Sequence, residues 1–268
     1  MRINTNLNAM IATNQMSKNT ALAGSSMEKL STGLRITKAG DDAAGLAVSE
    51  NMRAQIRGMG QAERNVQDGI SMVQTAEGAL EEAGNIAQRM RELGIQAGND
   101  TLSNEDKSKV KEELLQLQDE MKKISEETKF NGKQLLNTAG TFTIQAGANS
   151  ETRTVKTADL SSIAKGISIS TLSTASNAQS LVESIDTALS SINEARSNLG
   201  AMQNRLEYTA ANLTTSTENL TAAESRIRDV DVAKEMVTLS KLNILNQASQ
   251  AMVSQAKQQP ESVSQLLR

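Results

Sequence analysis

The sequence predicts a mainly α-helical protein: long antiparallel heptad-packed helices forming a rod, a small β-hairpin region in the middle, and N- and C-terminal helices paired. Three observations carry this. Aromatic residues are nearly absent, with two Phe, one Tyr and no Trp, so Ala, Leu, Ile, Val and Met must supply the apolar surface, which suits helix packing on helix. The single proline is Pro260, so nothing before it interrupts a helix. Apolar residues also recur at alternating spacings of three and four over long stretches.

Taken in order, residues 1–35 carry a loose stripe of Ile3, Leu7, Met10 or Ile11, Leu22, Met27, Leu30 and Leu34, diluted by Asn, Ser and Thr. Asp41-Asp42, after Gly40, read as an N-cap and first-turn acid opening the next helix rather than as a paired-carboxylate site. Along that helix Met52, Met59, Val66, Val73, Leu80 and Ala87 fall at strict seven-residue intervals. Ala62, Gly69, Ala76, Ala83 and Met90 sit beside them. A third helix is expected from about Asn104 to Lys129, capped by Ser103 with Asp106, with the seam Val110, Leu114, Leu117, Met121 and Ile124.

Between about 130 and 172 the period changes. Asn131-Gly132 signals a tight turn, and Thr141 to Gln145 alternates polar and apolar. Thr152 to Thr157 and Ile167-Ser168-Ile169 read as further strands. The strongest seam follows. Ile185, Ile192, Leu199, Leu206, Leu213, Leu220 and Ile227 form an all-aliphatic register, with a mostly small second register at Leu181, Ala188, Ala195, Met202, Thr209, Ser216, Ala223 and Val230. Fifty such residues would span roughly 75 Å as a helix. The two long seams, each mixing large and small residues, imply close antiparallel packing on one another. Residues 232–268 carry a last diluted stripe of Val232, Met236, Leu239, Leu242, Leu245, Ala248, Met252 and Ala256. Neither terminal stripe should fold alone, because helix nucleation is costly and each buries little. They fit folding on each other or on neighbouring copies.

Composition excludes several function classes. The net charge of −3 lacks the clustered basic residues of a nucleic-acid footprint. There are no Cys and no His, which removes disulfides, the usual metal ligands and most nucleophile–base catalysis. No catalytic, cofactor or metal site is expected. The N-terminus lacks the apolar core of a cleaved signal peptide, and no run is long enough to cross a membrane. Export without cleavage escapes those rules. The methionines on seams read as gap-fillers rather than a binding groove, and Gly58-Met59-Gly60 as close-packing positions rather than a phosphate loop.

Several motifs together resemble one family. They are Ile3 to Ala9; Leu30-Ser31-Thr32-Gly33-Leu34-Arg35-Ile36 followed by Asp41-Asp42-Ala43-Ala44-Gly45-Leu46-Ala47; Gln67 to Ser71; Thr75 to Leu80; Phe130-Asn131-Gly132; Glu224 to Asp231; and the closing Gln258-Gln259-Pro260 to Arg268. In this order, over the whole chain, they resemble the bacterial flagellins.

The resemblance implies a short form without variable outer domains, exported and self-assembling into the tubular filament of the motile flagellum. It implies two domains: 1–40 plus 231–268 as inner-tube helices, and 41–230 as the rod. Polymerisation would rest on Leu7, Ile11, Leu22, Leu30, Leu34, Val232, Met236, Leu239, Leu242, Leu245 and Met252. The implied partners are further copies in a helical homopolymer, an export chaperone on the C-terminal helix, the flagellar secretion apparatus, and the filament cap and hook-junction proteins. The innate immune receptor for flagellin is implied as well, reached through Arg89, Leu93 and Glu113 on a stretch whose plain reading is a solvated helix face. Three other readings are weaker. The flagellin-like junction protein between hook and filament shares the terminal motifs, but the closing Gln-rich segment and the complete Asp41 to Ala47 signature favour the filament subunit. A flagellin-borne zinc protease needs a His-Glu-x-x-His site, and this chain has no His. A coiled-coil adaptor is compatible with the seams alone.

Overall fold

The computed structural model of the chain describes residues 6–169 and 174–266; Ile3, residues 170–172 of the expected β region and the closing Leu267-Arg268 lie outside them. Among the described residues the elements are α1 (Leu7–Thr32), α2 (Ala43–Ala97), α3 (Asn104–Glu127), β1 (Lys129–Phe130), β2 (Lys133–Gln134), β3 (Thr141–Gln145), β4 (Thr152–Lys156), α4 (Leu160–Gly166), α5 (Ala175–Arg228) and α6 (Val232–Leu266). The chain is mainly α-helical, and the strands form two separate antiparallel hairpins, β1-β2 and β3-β4. It divides into two compact units: Met1–Ala54 with Asn219–Arg268, and Gln55–Glu218.

The second unit is built on α2 packed antiparallel to α5. Thr214 Oγ1 donates to Glu63 Oε1 at 3.3 Å, Arg196 lies 3.9 Å from Glu77, and Arg91 Nε meets Asp186 Oδ1 at 2.6 Å, so residue numbers fall on one helix as they rise on the other. The heptad residues line the seam. Met59, Ala62, Val66, Val73, Ala76, Leu80, Ala83, Ala87 and Met90 of α2 are buried, as are Leu181, Ile185, Ala188, Ile192, Leu199, Leu206 and Leu213 of α5. Small residues let the backbones approach. A Cβ on Gly94 would lie 3.1 Å from Val182 Cγ2 and 3.7 Å from Leu181 Cδ2.

Helix α3 departs from its expected seam. Val110, Leu114 and Met121 are buried, but Gln118 and Ser125 are buried too, while Leu117 and Ile124 are only half-buried. The buried polar groups satisfy main-chain carbonyls that no sheet reaches. Gln118 Nε2 donates to the Ala164 and Ile167 carbonyls at 2.8 and 2.9 Å, and Ser125 Oγ to the Leu136 carbonyl at 2.8 Å. An unpaired buried carbonyl costs more than a well-placed polar side chain. Ser103 caps the helix, its Oγ accepting from the Asp106 amide at 3.2 Å and donating to Asp106 Oδ2 at 2.7 Å. The helix stops at Glu127, so Lys129 belongs to β1.

The β region is smaller than expected. Asn131 (φ 49°) and Gly132 (φ 77°) both take left-handed conformations and turn β1 into β2. β3 and β4 pair from Thr141↔Lys156 to Gln145↔Thr152. Ile167–Ile169 is not a strand. Asp159 accepts from the Ser162 amide at 2.8 Å and starts α4, and Ile167 ends it, its amide donating to the Ala164 carbonyl at 3.3 Å. Among the described residues the three-residue alternation pairs with no strand. Gly58 and Gly69 are close-packing positions: a Cβ on Gly58 would lie 2.9 Å from Ala148 Cβ, and one on Gly69 would collide with Ile144. Gly60 faces open space, so that reading fails there.

Candidate assembly interface

Helices α1 and α6 pair antiparallel within the first unit. Asn6 caps α1, its Oδ1 accepting from the Ala9 amide at 3.1 Å, and its Nδ2 donates to the Ala256 carbonyl at 2.6 Å. Further along, Thr20 Oγ1 lies 3.4 Å from Asn246 Oδ1. The residues turned inward on α1 include Ala9, Ala12, Met16, Asn19, Ala23, Ser26 and Leu30; on α6 they include Glu235, Leu239, Leu242, Asn246, Ser249, Val253 and Ala256. Both series alternate by three and four, so this is a heptad pair whose seam is mainly small and polar. Asn19 is only 3% exposed, and it accepts from Gln15 Nε2 at 3.3 Å.

Most of the large apolar residues face the other way. Leu7, Met10, Ile11, Leu22, Met27, Val232, Met236, Val237, Ile244, Leu245 and Met252 are all exposed, Leu7 and Met252 to 59% and 64%. Of the eleven residues expected to carry polymerisation, Leu30 and Leu239 are half-buried and Leu242 is buried, all on the inward seam. Leu34 is not on a helix at all. Gly33 (φ 73°) ends α1 with its amide on the Lys29 carbonyl at 2.9 Å, and Leu34 forms an isolated bridge with Asp229. The terminal stripes thus blended two faces, one turned to the partner helix and one turned out. A groove of about 420 Å³ runs between the helices, lined by Ile11, Ala12, Asn19, Leu245, Ser249 and Met252 among others.

Below the pair, the two ends of the chain are joined by polar contacts. The Arg35 amide donates to the Arg228 carbonyl at 2.6 Å, the Val230 amide to the Gly33 carbonyl at 3.0 Å, and the Arg35 guanidinium to the Ile227 carbonyl at 2.5 and 3.2 Å. Arg228, 9% exposed, meets Glu50 Oε1 at 2.5 Å, and Arg53 meets Glu224 Oε1 at 3.3 Å. Asp42 caps α2, its Oδ1 accepting from the Gly45 amide at 2.8 Å. Asp42 is thus the cap rather than a first-turn acid, and Asp41 stands one residue before it. Asp41 accepts from the Thr37 amide and hydroxyl and the Lys38 amide at 3.0–3.1 Å, closing the preceding turn. Those hydrogen bonds, from the Lys38 and Thr37 amides first, hold its carboxyl below the ordinary carboxylate value. Sequence reasoning assigned no role to Arg35, Glu50, Glu224 or Arg228. The available signal was that charged residues recur inside both terminal motifs.

In the second unit, Arg89 spans α2 and α3, with Nη1 on Glu92 Oε2 and Nη2 on Glu113 Oε1, both at 3.1 Å. These hydrogen bonds, that to Glu92 first, raise the guanidinium pKa further. Arg89, Glu92 and Glu113 are exposed, but Leu93 is 2% exposed and continues the buried seam three residues after Met90. Leu93 is therefore not on the surface that Arg89 and Glu113 share.

The terminal regions match two family models, the bacterial flagellin N-terminal helical region over residues 3–141 and the bacterial flagellin C-terminal helical region over 182–267. A flagellin of Halalkalibacterium halodurans is 54% identical over 273 residues, covering 100% of each chain. The flagellar filament 33 kDa core protein of Treponema phagedenis is 43% identical, again over 100% of each chain. Among solved structures, the crystal structure of Bacillus cereus flagellin matches with a TM-score of 0.52 at 35% identity, covering 60% of this chain and 94% of that one.

Proposed function

The chain belongs to the bacterial flagellin family, structural subunits of the extracellular flagellar filament and not enzymes, and from that premise we propose that the outward faces of α1 and α6 make its subunit contacts. The observation that carries this is the inversion of the terminal pair. Most of its large apolar residues point to solvent, while the inward seam is mainly small and polar, with Met16, Leu30, Leu239, Leu242 and Val253 as its apolar members. A free subunit gains nothing from that pattern, whereas a neighbouring copy would cover it. A filament needs such contacts to repeat without closing, and a surface distinct from its own partner seam allows that.

Residues 1–40 and 231–268 then form the inner tube wall and 41–230 the outer one. Leu7, Ile11, Leu22, Val232, Met236, Leu245 and Met252 supply intermolecular surface, while Leu30, Leu239 and Leu242 hold the two helices together. Leu34 acts through the joint with Asp229. The exposed α6 face is also what an export chaperone would shield before secretion. The secretion apparatus, filament cap and hook-junction proteins complete the set of partners. Only two small hairpins and the short α4 lie between α3 and α5 among the described residues, which suits a thin, smooth filament.

Electron microscopy of the purified protein after seeded polymerisation tests this reading. Long thin tubes are expected; persistent monomers under several conditions would sink it. For the innate immune receptor, Arg89 and Glu113 are the surface pair available for contact, with Leu93 supporting them from the core. Alanine at both should lower receptor signalling, and unchanged signalling would count against the pair.

A further inference from the structure

The strongly exposed and the buried methionines among the described residues are sorted by unit. Met10, Met27, Met236 and Met252 are 51%, 57%, 51% and 64% exposed, and all lie on α1 or α6. Met59, Met72, Met90 and Met121 of the second unit are buried, at 8% exposure or less. Met16, Met52 and Met202 are half-buried. Thioether oxidation follows access, and it turns a flexible apolar side chain into a polar, chiral one. The chain has no Cys, so no thiol competes for an oxidant. The sulfurs that an oxidant reaches first are therefore those on the face that most needs to stay apolar.

We propose that Met10, Met27, Met236 and Met252 form an oxidation site through which a peroxide blocks assembly of the free subunit while leaving its folded core intact. This rests on the outward faces of α1 and α6 being the assembly surface. The thioether sulfur attacks one peroxide oxygen, the O–O bond breaks and an S–O bond forms. Sulfur gives up two electrons, and the second oxygen leaves as water once protonated. Each sulfoxide places a strong hydrogen-bond acceptor where assembly would strip water away, and burying it without a donor is unfavourable. Met252 is the most consequential, because it lines the groove between α1 and α6 beside Ile11 and Leu245. In an assembled filament the same sulfurs are covered. The order of events then decides the outcome: oxidant before assembly blocks it, and oxidant after assembly finds little to attack. Enzymatic sulfoxide reduction would reverse the block.

The test uses the full chain as free subunits treated with hydrogen peroxide, with oxidised methionines mapped by peptide mass spectrometry and the critical concentration read from seeded polymerisation. The four exposed methionines should oxidise first, with Met59, Met90 and Met121 spared, and the critical concentration should rise about tenfold or more as burial of polar sulfoxides would require. Filaments given the same dose should keep these four as thioethers. Unchanged elongation by subunits oxidised at all four positions would overturn the proposal. In the variant M10L/M27L/M236L/M252L, which preserves volume, the critical concentration with peroxide should equal that variant's own value without it. If it polymerises yet is still blocked by peroxide, the proposal fails while the assembly reading stands. If it does not polymerise, the single Met→Leu variants decide: partial protection by each supports the proposal, and none overturns it. The assembly reading fails by a separate route, if Ile11→Ser with Leu245→Ser leaves polymerisation of untreated subunits unchanged.

Discussion

The α2·α5 packing of the second unit and the α1·α6 pair of the first are both antiparallel heptad arrangements, yet the former buries the large apolar residues of its seam while the latter turns most of its own outward. In the second unit Val66, Val73, Leu80, Ile185, Ile192 and Leu206 are fully buried within one chain. In the terminal pair Ala9, Ala12, Asn19 and Ser26 face inward with Asn246 and Ser249, while Leu7, Ile11, Leu22, Ile244 and Met252 face out. A seam of this kind brings helices close but buries little apolar area, at about 25 cal/mol per Å². The difference teaches that periodicity reports where a helix meets something, whereas residue size along the period reports whether that something lies in the same chain.

The comparison is most exposed to native-state amide exchange. In dilute monomer, α2 and α5 amides between 62 and 90 and between 185 and 206 should exchange only on global opening, while those from Val232 onward exchange almost freely, the two extremes that local stability can reach. Strong protection of α6 in free subunits would erase the contrast. Truncation sharpens it next. Ile192→Ala should destabilise the monomer by about 3 kcal/mol, as buried aliphatic deletions do. Leu22→Ala should change monomer stability by less than about 0.5 kcal/mol, as exposed substitutions do, while raising the critical concentration for assembly. Urea denaturation beside seeded polymerisation reads both.

The joint between the chain ends should respond at an intermediate level. Arg228→Ala removes a nearly buried guanidinium from Glu50 and should cost about 2 kcal/mol, in the range for hydrogen bonds to charged groups, with loss of exchange protection at Arg35 and Val230. The smallest effect belongs to Asp41. Its pKa is depressed in the folded chain, so its contribution is present above the unfolded carboxylate value of about 4 and fades as pH falls through the folded one. Asp41→Asn should therefore lower the urea midpoint at pH 7 and lose that effect in strong acid. An equal difference at both pH values would mean that the carboxylate charge is irrelevant to the turn.

The second unit was legible because its signals are redundant. Val66, Val73 and Leu80 repeat at seven residues, Asn131-Gly132 demands a turn, and Ser103 with Asp106 caps α3. Each local preference agrees with the packing. Gln118 and Ser125 were not legible, because their burial depends on carbonyls 46 and 11 residues away in sequence. Arg228 escaped for the same reason: its partner Glu50 is 178 residues distant. Leu93 was misplaced because an exposed-looking run of Arg89, Arg91 and Glu92 hid the one member that continues the seam.

By itself, then, the sequence determined the long helices, the heptad contacts of α2 and α5, the tight turn, the lack of thiol or imidazole chemistry, and the family through motifs spread along the chain. Those are local or periodic properties, encoded within a few turns of each residue. Only the tertiary structure decided which side of α1 and α6 faces inward, that Leu34 leaves the helix to bridge Asp229, and that the two terminal motifs meet through Arg35 and Arg228. Those outcomes depend on which distant segment lies opposite. For terminal stripes this dilute, small residues that permit close approach and large ones that await a neighbour share one period and are told apart only by burial.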